Sequence, residues 1–118
     1  MNYSRGDIVI VPFPFVLSGG RKIQKARPAL VISDMTLERR YNDLILASIT
    51  SQIPDDLKET EIIIEPTPAN GLLKKSSLRL EFLMTVPSEL ISRKIGQLKP
   101  QEIKDVDLKI TRSLGLSK

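Results

Sequence analysis

Hydrophobic residues in this chain fall mostly into short runs and alternations with a period of two, which is the pattern of β-strands. Residues 8–11 form an unbroken apolar run, which predicts a strand that is buried on both faces. Pro12 and Pro14 follow this run, and because proline has no N–H to donate, they should end the ladder or lie on a sheet edge. A later segment alternates strictly, which predicts a strand with one apolar face. That face consists of Leu78, Leu80, Phe82, Met84 and Val86.

Shorter apolar segments predict the remaining strands. They lie at residues 29–33, 44–49 and 60–65, and a small strand is possible within residues 91–98. Pro28 fits the first position of the second strand, where no N–H is needed for the ladder. The polar residues 16–25 predict a hairpin loop between the first two strands.

Two helices are predicted from capping residues. Asp34 can cap a short helix over residues 35–41, since its carboxylate accepts a hydrogen bond from a free N–H at a helix start. Pro100 at a first helical position begins a second, C-terminal helix, which ends at Gly115. The buried stripe of that helix repeats every three or four residues. It consists of Ile103, Val106, Ile110 and Leu114.

The predicted fold is therefore mainly β with short helices. Because five or six strands follow one another closely, the sheet should be mainly antiparallel and strongly curled, like a small β-barrel. A single domain over residues 1–118 is expected at this length. No apolar run is long enough to cross a bilayer, and the N-terminal residues lack the apolar core of a signal peptide. We therefore expect a cytoplasmic protein that makes no membrane contact.

Composition limits the chemistry that the chain can perform. It has no histidine and no cysteine, which excludes imidazole and thiolate catalysis and a His-ligated metal. Neither a metal site nor a cofactor is expected. The net charge of +4 permits a polyanionic partner without requiring one. Three cations, Arg21, Lys22 and Lys25, lie in or beside the predicted hairpin loop, which is either a solvated loop or a basic lid over a binding face.

The candidate chemistry lies at the ends of two predicted strands. Arg27 precedes one strand, and the hydroxyls of Thr50 and Ser51 follow another. Each has an ordinary structural explanation, a rim salt bridge for the arginine and turn hydrogen bonds for the hydroxyls. Together, a guanidinium and a hydroxyl pair can hold a phosphate and stabilise additional charge on it. RNA suits such a site, because its own 2′-hydroxyl supplies a nucleophile beside the phosphorus.

Several segments resemble the MazF/PemK family of type II toxin–antitoxin toxins, and the resemblance runs nearly end to end. The segments are Gly-Asp-Ile-Val at 6–9, Pro-Phe-Pro-Phe at 12–15, Lys-Ala-Arg-Pro-Ala-Leu-Val-Ile-Ser at 25–33, Asp-Leu-Ile-Leu-Ala-Ser-Ile-Thr-Ser at 43–51 and Lys-Ile-Gly-Gln-Leu at 94–98. The strand-entry Arg-Pro and the Ile-Thr-Ser strand exit are specific when taken together. Gly-Asp-Ile-Val alone would be a weak match.

This resemblance implies a compact SH3-like barrel that forms a homodimer. It also implies metal-independent cleavage of single-stranded RNA, leaving a 2′,3′-cyclic phosphate and a 5′-hydroxyl. The catalytic arginine and threonine of the family fall on Arg27 and Thr50, and Ser51 would line the phosphate. The basic loop would cover the RNA, and an antitoxin with an acidic, disordered tail would block the groove. Gln52 and Arg79 complete the expected substrate-binding residues.

The chain departs from the family in one region. Members often carry Asp, Gln and Arg where this chain has Glu81, Phe82 and Met84, and Pro87 and Leu90 replace a further Asp/Arg pair. These departures concern base preference and antitoxin contacts. Two other functions remain open, a gyrase poison resembling the CcdB-type toxins and an RNA-binding module that does not cut. The Arg/Thr pair, which a CcdB-type toxin does not need, favours the nuclease.

Overall fold

The computed structural model describes residues 2–16 and 22–116, and these contain six strands, one α-helix and one short 3₁₀ helix (Ser88–Leu90). The strands are β1 (Asp7–Val16), β2 (Lys22–Val31), β3 (Asp43–Thr50), β4 (Glu61–Ile64), β5 (Ser76–Pro87) and β6 (Arg93–Gln97), and the helix is α1 (Pro100–Ser113). They form one curled sheet in the order β4-β5-β3-β2-β1-β6, and all neighbouring strands are antiparallel. The predicted fold, mainly β with a C-terminal helix, is confirmed.

The two prolines lie within β1 and do not end its ladder. Pro12 is opposite Ala26 and Pro14 is opposite Gln24 in the pairing with β2. On its other side β1 pairs with β6 only as far as Ile10, whose carbonyl accepts a hydrogen bond from the Ser92 N–H at 2.8 Å. The prolines therefore lie where β1 is a sheet edge, which is the second of the two predicted alternatives.

The ladder between β1 and β2 extends to the pair Val16 and Lys22, so the strands reach into the predicted loop 16–25. Pro28 lies inside β2 and not at its start, because β2 begins earlier than predicted. The pairing of β2 with β3 does begin next to Pro28, at Ala29. Pro28 is thus tolerated because no β3 ladder partner requires its missing N–H.

Both faces of the sheet are buried. One face belongs to a cluster that includes Ile8, Leu30 and Leu78 and that packs against Val106 of α1. The other face belongs to a second cluster that includes Val9 and Leu46. Ile8 and Val9 are each fully buried, which confirms the prediction of a strand with two buried faces.

β5 does not keep one apolar face along its length. Its register with β3 shifts, because Ala47 is opposite Leu83 while the next residue, Ser48, is opposite Arg79. Leu80 lies in the first cluster and Met84 packs on the second, on opposite sides of the shift. The predicted single face is therefore wrong, and Phe82 between them is 41% exposed.

The C-terminal helix matches its prediction except at one residue. Pro100 is its first residue, and the Lys99 N–H donates to Glu102 Oε1 at 2.9 Å. Gly115 follows the helix with a φ of +73°. Leu114 is not part of the buried stripe, because it lies at the C-cap, after the last helical residue Ser113, where 55% of its surface is exposed. No helix in the described part of the chain is long and apolar enough to cross a membrane.

The short helix predicted over residues 35–41 is wrong, and the segment consists of turns. Asp34 Oδ1 accepts hydrogen bonds from the hydroxyl and the N–H of Thr36, at 2.5 and 2.9 Å. The carboxylate thus closes a local turn two residues on, which competes with helix formation. These hydrogen bonds, that of the hydroxyl first and that of the N–H second, also hold the pKa of Asp34 below its ordinary value.

A loop, residues 65–75, links the two edges of the sheet. Gln97 of β6 donates its N–H to the Ala69 carbonyl at 3.0 Å. Gly71, with a φ of +70°, approaches so closely that a Cβ would lie 2.1 Å from the Ile95 carbonyl oxygen. Glycine is needed here for both reasons. This approach places the loop against β6 and builds one wall of the site described next.

Candidate active site

Arg27 and Thr50 lie on the same face of the sheet. The last pair between β2 and β3 joins Ala29 to Ser48, and paired residues share a face. Residues two apart on a strand share a face, so Arg27 lies on the same face as Ala29, and Thr50 lies on the same face as Ser48. Because Ala29 and Ser48 are paired, all four residues are on one face of the sheet. Continuing the register by two residues would bring Arg27 opposite Thr50, although the ladder ends before that point.

A cleft of about 430 Å³ opens beside Arg27 at this end of the sheet. Its walls come from β2, the exit of β3, the loop 65–75 and β6. Four cations contribute to its lining: Lys25, Arg27, Lys74 and Arg93. Apolar residues make up much of the remainder: Ile10, Pro28, Ile49, Leu72, Leu73 and Ile95. Ser51 and Ser76 add two hydroxyl groups.

The charged residues that line the cleft are all positive. None of the described residues that line it is an aspartate or a glutamate. Lys25, Lys74 and Arg93 are exposed, and none of them forms an ion pair with a described residue. Cations that converge on a cleft without opposing carboxylates raise the local concentration of anionic ligands.

Three of the predicted site residues therefore come together, namely Arg27, Ser51 and Lys25. Arg27 is half-buried, whereas Ser51 and Lys25 are exposed. Thr50 is not part of the cleft lining, whereas the residues on either side of it, Ile49 and Ser51, are. Its Oγ1 accepts a hydrogen bond from the Gln52 N–H at 3.1 Å. Gln52 thus shapes the strand exit through its backbone, and its side chain is exposed.

Arg79 is engaged by its own strand. Its Nε and Nη2 atoms donate to Glu81 Oε2 at 3.1 and 3.0 Å, and its guanidinium lies 5.1 Å from the centre of the Phe82 ring. Arg79 is opposite Ser48 and so shares the face of Thr50, but it does not line the cleft. Arg21 lies outside the described residues, and for Lys22 only its backbone position in β2 is described.

Sequence reasoning missed Lys74 and Arg93. The Asn70-Gly71 pair indicated a turn before Lys74, and Arg93 lay inside a segment identified only as a possible small strand. No local pattern connects the two residues. They meet in the cleft because the loop packs on β6.

The curled antiparallel sheet and this cleft define a small β-protein with a cation-lined cleft at one end of its sheet. The chain belongs to the PemK-like, MazF-like toxins of type II toxin–antitoxin systems, whose family model matches residues 4–114. The resemblance found in the sequence is thereby confirmed.

Individual relatives agree with this membership. The chain is 30% identical over 113 residues to a protein of Mycolicibacterium smegmatis named "Probable endoribonuclease MazF", with 96% of this chain and 97% of that protein covered. Among solved structures, it is similar to a mycobacterial endoribonuclease in complex with its cognate antitoxin, with a TM-score of 0.74, 16% identity and 99% of both chains covered. It is also similar to the Mycobacterium tuberculosis toxin MazF-mt6, with a TM-score of 0.72, 22% identity and 95% and 99% of the chains covered. The predicted class of enzyme, an endoribonuclease, agrees with the name of the first relative.

Proposed function

We propose that this protein is an endoribonuclease that cleaves single-stranded RNA without a metal ion. One observation carries the proposal: Arg27 borders a cation-lined cleft with no carboxylate among its described lining residues, and it shares a sheet face with Thr50. The ribose 2′-oxygen attacks the neighbouring phosphorus as its proton leaves. The bond to the 5′-oxygen breaks, and that oxygen takes up a proton. The products are a 2′,3′-cyclic phosphate and a 5′-hydroxyl.

Arg27 and Thr50 have separate roles in this step. The guanidinium donates to the non-bridging phosphoryl oxygens and stabilises the charge that builds up on them. A guanidinium is a poor general base, and no residue is assigned to that role. The Thr50 hydroxyl donates to the phosphate or to the departing 5′-oxygen. Ser51, on the cleft side of the strand exit, lines the phosphate.

The remaining predicted substrate contacts form the path of the RNA. Lys25 lines the cleft, Lys22 is the first residue of β2, and Gln52 follows the β3 exit. Arg21, which lies outside the described residues, is included on the family resemblance alone. Arg79 reaches RNA only when its salt bridge with Glu81 opens.

We further propose two partners, a second copy of the chain and an antitoxin with an acidic tail. The net charge of +4 and the four cations of the cleft favour an acidic segment. One structural relative is an endoribonuclease in complex with its cognate antitoxin. Binding of an acidic tail over Lys25 and Arg27 would exclude RNA from the cleft.

The test is cleavage of a long single-stranded RNA in EDTA, followed by mapping of the fragment ends. We expect Arg27→Ala and Thr50→Ala each to lower the cleavage rate about a hundredfold or more, because each removes a donor to the developing charge. Arg112→Ala is the matched control, since Arg112 of α1 forms an exposed salt bridge with Glu59, and its loss should leave the rate unchanged. Full cleavage by the Arg27→Ala protein would remove this assignment.

The same experiment separates the other candidate functions. Gyrase-dependent DNA breakage without RNA cleavage would indicate a CcdB-like toxin. Tight RNA binding with intact substrate after long incubation would indicate a binding module that does not cut.

A further inference from the structure

Lys74 and Arg93 form a second cationic edge of the cleft, apart from Arg27. Arg93 is opposite Ile10 across β1–β6, and Ile10 is opposite Pro28 across β1–β2. These three residues therefore form a row across three strands, which separates the Arg93 backbone from the Pro28 backbone by about 10 Å at ordinary strand spacing. Lys74 enters from the loop 65–75.

The surface between the two cationic edges is apolar. Ile10, Ile49 and Ile95 line it, and so does Leu73, whose side chain is 95% exposed. An almost fully exposed leucine gains nothing from packing within the chain. Its position beside cations instead suits a ligand that is both anionic and flat-faced.

We propose that Lys74 and Arg93 bind the phosphate of a nucleotide next to the scissile one, and that the apolar surface beside Leu73 takes its unstacked base. The proposal rests on the proposed endoribonuclease function and extends it to a second subsite. Single-stranded RNA presents such splayed bases together with regularly spaced phosphates.

RNA fits this surface better than an acidic peptide does. The subsite is continuous with Arg27 and Ser51, so one strand can pass from one cationic edge to the other. The wall is also held in place before any ligand binds. A Cβ at Gly96 would lie 2.4 Å from the Ala69 carbonyl oxygen, so loop and strand are already in close contact.

The phosphate contacts are tested by binding, so that the result does not depend on cleavage. Fluorescence anisotropy measures the affinity for a 2′-O-methyl RNA oligomer, which lacks the attacking hydroxyl, over a range of salt concentrations. The slope of log K against log salt is negative, and we expect Lys74→Gln and Arg93→Gln each to reduce its magnitude by about 0.7, the value for one phosphate contact on a single strand. Lys104→Gln is the control, because Lys104 is an exposed cation on α1, away from the cleft. Unchanged slopes for both cleft variants would overturn the proposal.

The base contact is tested with Leu73→Ser, which removes an exposed side chain and should not affect folding. We expect it to weaken binding of the intact oligomer about threefold through lost apolar contact. A set of oligomers, each lacking the base at one position, locates the contact. At the position whose base contacts Leu73, the variant and the parent protein should bind the abasic oligomer with equal affinity. Equal weakening for every oligomer would contradict a base subsite.

Two outcomes distinguish this proposal from the proposed function. If the parent protein cleaves RNA but the salt slopes of Lys74→Gln and Arg93→Gln are unchanged, the nuclease proposal stands and the subsite proposal is wrong. If the two variants have slopes of smaller magnitude but the parent protein does not cleave RNA, the subsite proposal stands and the catalytic assignment is wrong. If the cleft variants lose affinity for polyglutamate while their RNA binding is unchanged, the cleft edge is a peptide site and the proposal is wrong.

Discussion

At the scale of single residues, Asp7 shows how the Gly-Asp segment serves the fold. Its side chain is buried, with Oδ1 3.1 Å from Lys94 Nζ and Oδ2 accepting a hydrogen bond from the Ser4 N–H at 2.8 Å. The carboxylate thus connects the N-terminal segment to β6. A buried acceptor that serves two donors is costly to remove.

We expect Asp7→Asn to lower the free energy of unfolding by about 1–3 kcal/mol, since it removes the charge that Lys94 pairs with. Urea denaturation measures the change. Asp107→Asn is the matched control, because Asp107 forms a more exposed pair with Arg5 and should cost less than about 1 kcal/mol. Equal losses for the two variants would contradict the structural role given to Asp7.

Glu81 accepts hydrogen bonds from the guanidinium of Arg79 through Oε2. Its Oε1 also accepts a hydrogen bond from the Thr60 hydroxyl at 3.3 Å, which helps to hold the carboxylate in place. If Arg79 contacts RNA, removing the competing carboxylate should strengthen binding. We expect Glu81→Gln to raise the affinity for uncleavable RNA about threefold at low salt. Glu59→Gln, which breaks the Arg112 pair on α1, should have no such effect. An unchanged affinity in Glu81→Gln would remove Arg79 from the substrate contacts.

At the scale of elements, the contact between the loop 65–75 and β6 decides the shape of the cleft. Two glycines allow it, Gly71 in the loop and Gly96 in the strand. The backbone atoms that a Cβ would meet are carbonyl groups of the facing element, which cannot move aside as a flexible side chain can. The close approach is therefore a requirement of the fold.

We expect Gly96→Ala to destabilise the protein by about 3 kcal/mol, because its Cβ would overlap the Ala69 and Asn70 backbone. The loop would also move away from β6, and RNA binding should fall with stability. Gly115→Ala is the comparison. A Cβ there meets no atom within 4 Å, so only its positive φ of +73° costs energy, about 1 kcal/mol. Thermal unfolding of both variants gives the difference, and a smaller loss for Gly96→Ala would refute the close-contact argument.

At the scale of the whole molecule, the sheet has a core on each face, and the cleft lies where the first of these cores ends. Ile49 belongs to that core cluster and also lines the cleft. The cleft therefore adjoins the packed core, which lowers the entropic cost of ordering its side chains when an anion binds. The net charge of +4 extends the same attraction beyond the cleft.

Local pattern was sufficient for most elements. Three elements were predicted from features that depend only on neighbours within a few residues. The apolar run at 8–11 predicted β1, the alternation around Leu78 predicted β5, and the cap at Pro100 predicted α1. The shift between Ala47 and Ser48 could not be predicted in the same way, because register depends on which residues of another strand are opposite. The turn at Asp34 was not predicted, because an aspartate carboxylate can accept a backbone N–H hydrogen bond both at a helix start and in a local turn.

The chain by itself determined a mainly β fold, its family and the candidate pair Arg27 and Thr50, since periodicity and short motifs are local properties. Tertiary structure decided which side chains share a face and which converge. The pairing of β2 with β3 places Arg27 and Thr50 on one face, and the packing of a loop on β6 brings Lys74 and Arg93 into one cleft. Such convergence depends on the closing of the sheet edges through Gly71 and Gly96, a contact between segments far apart in sequence.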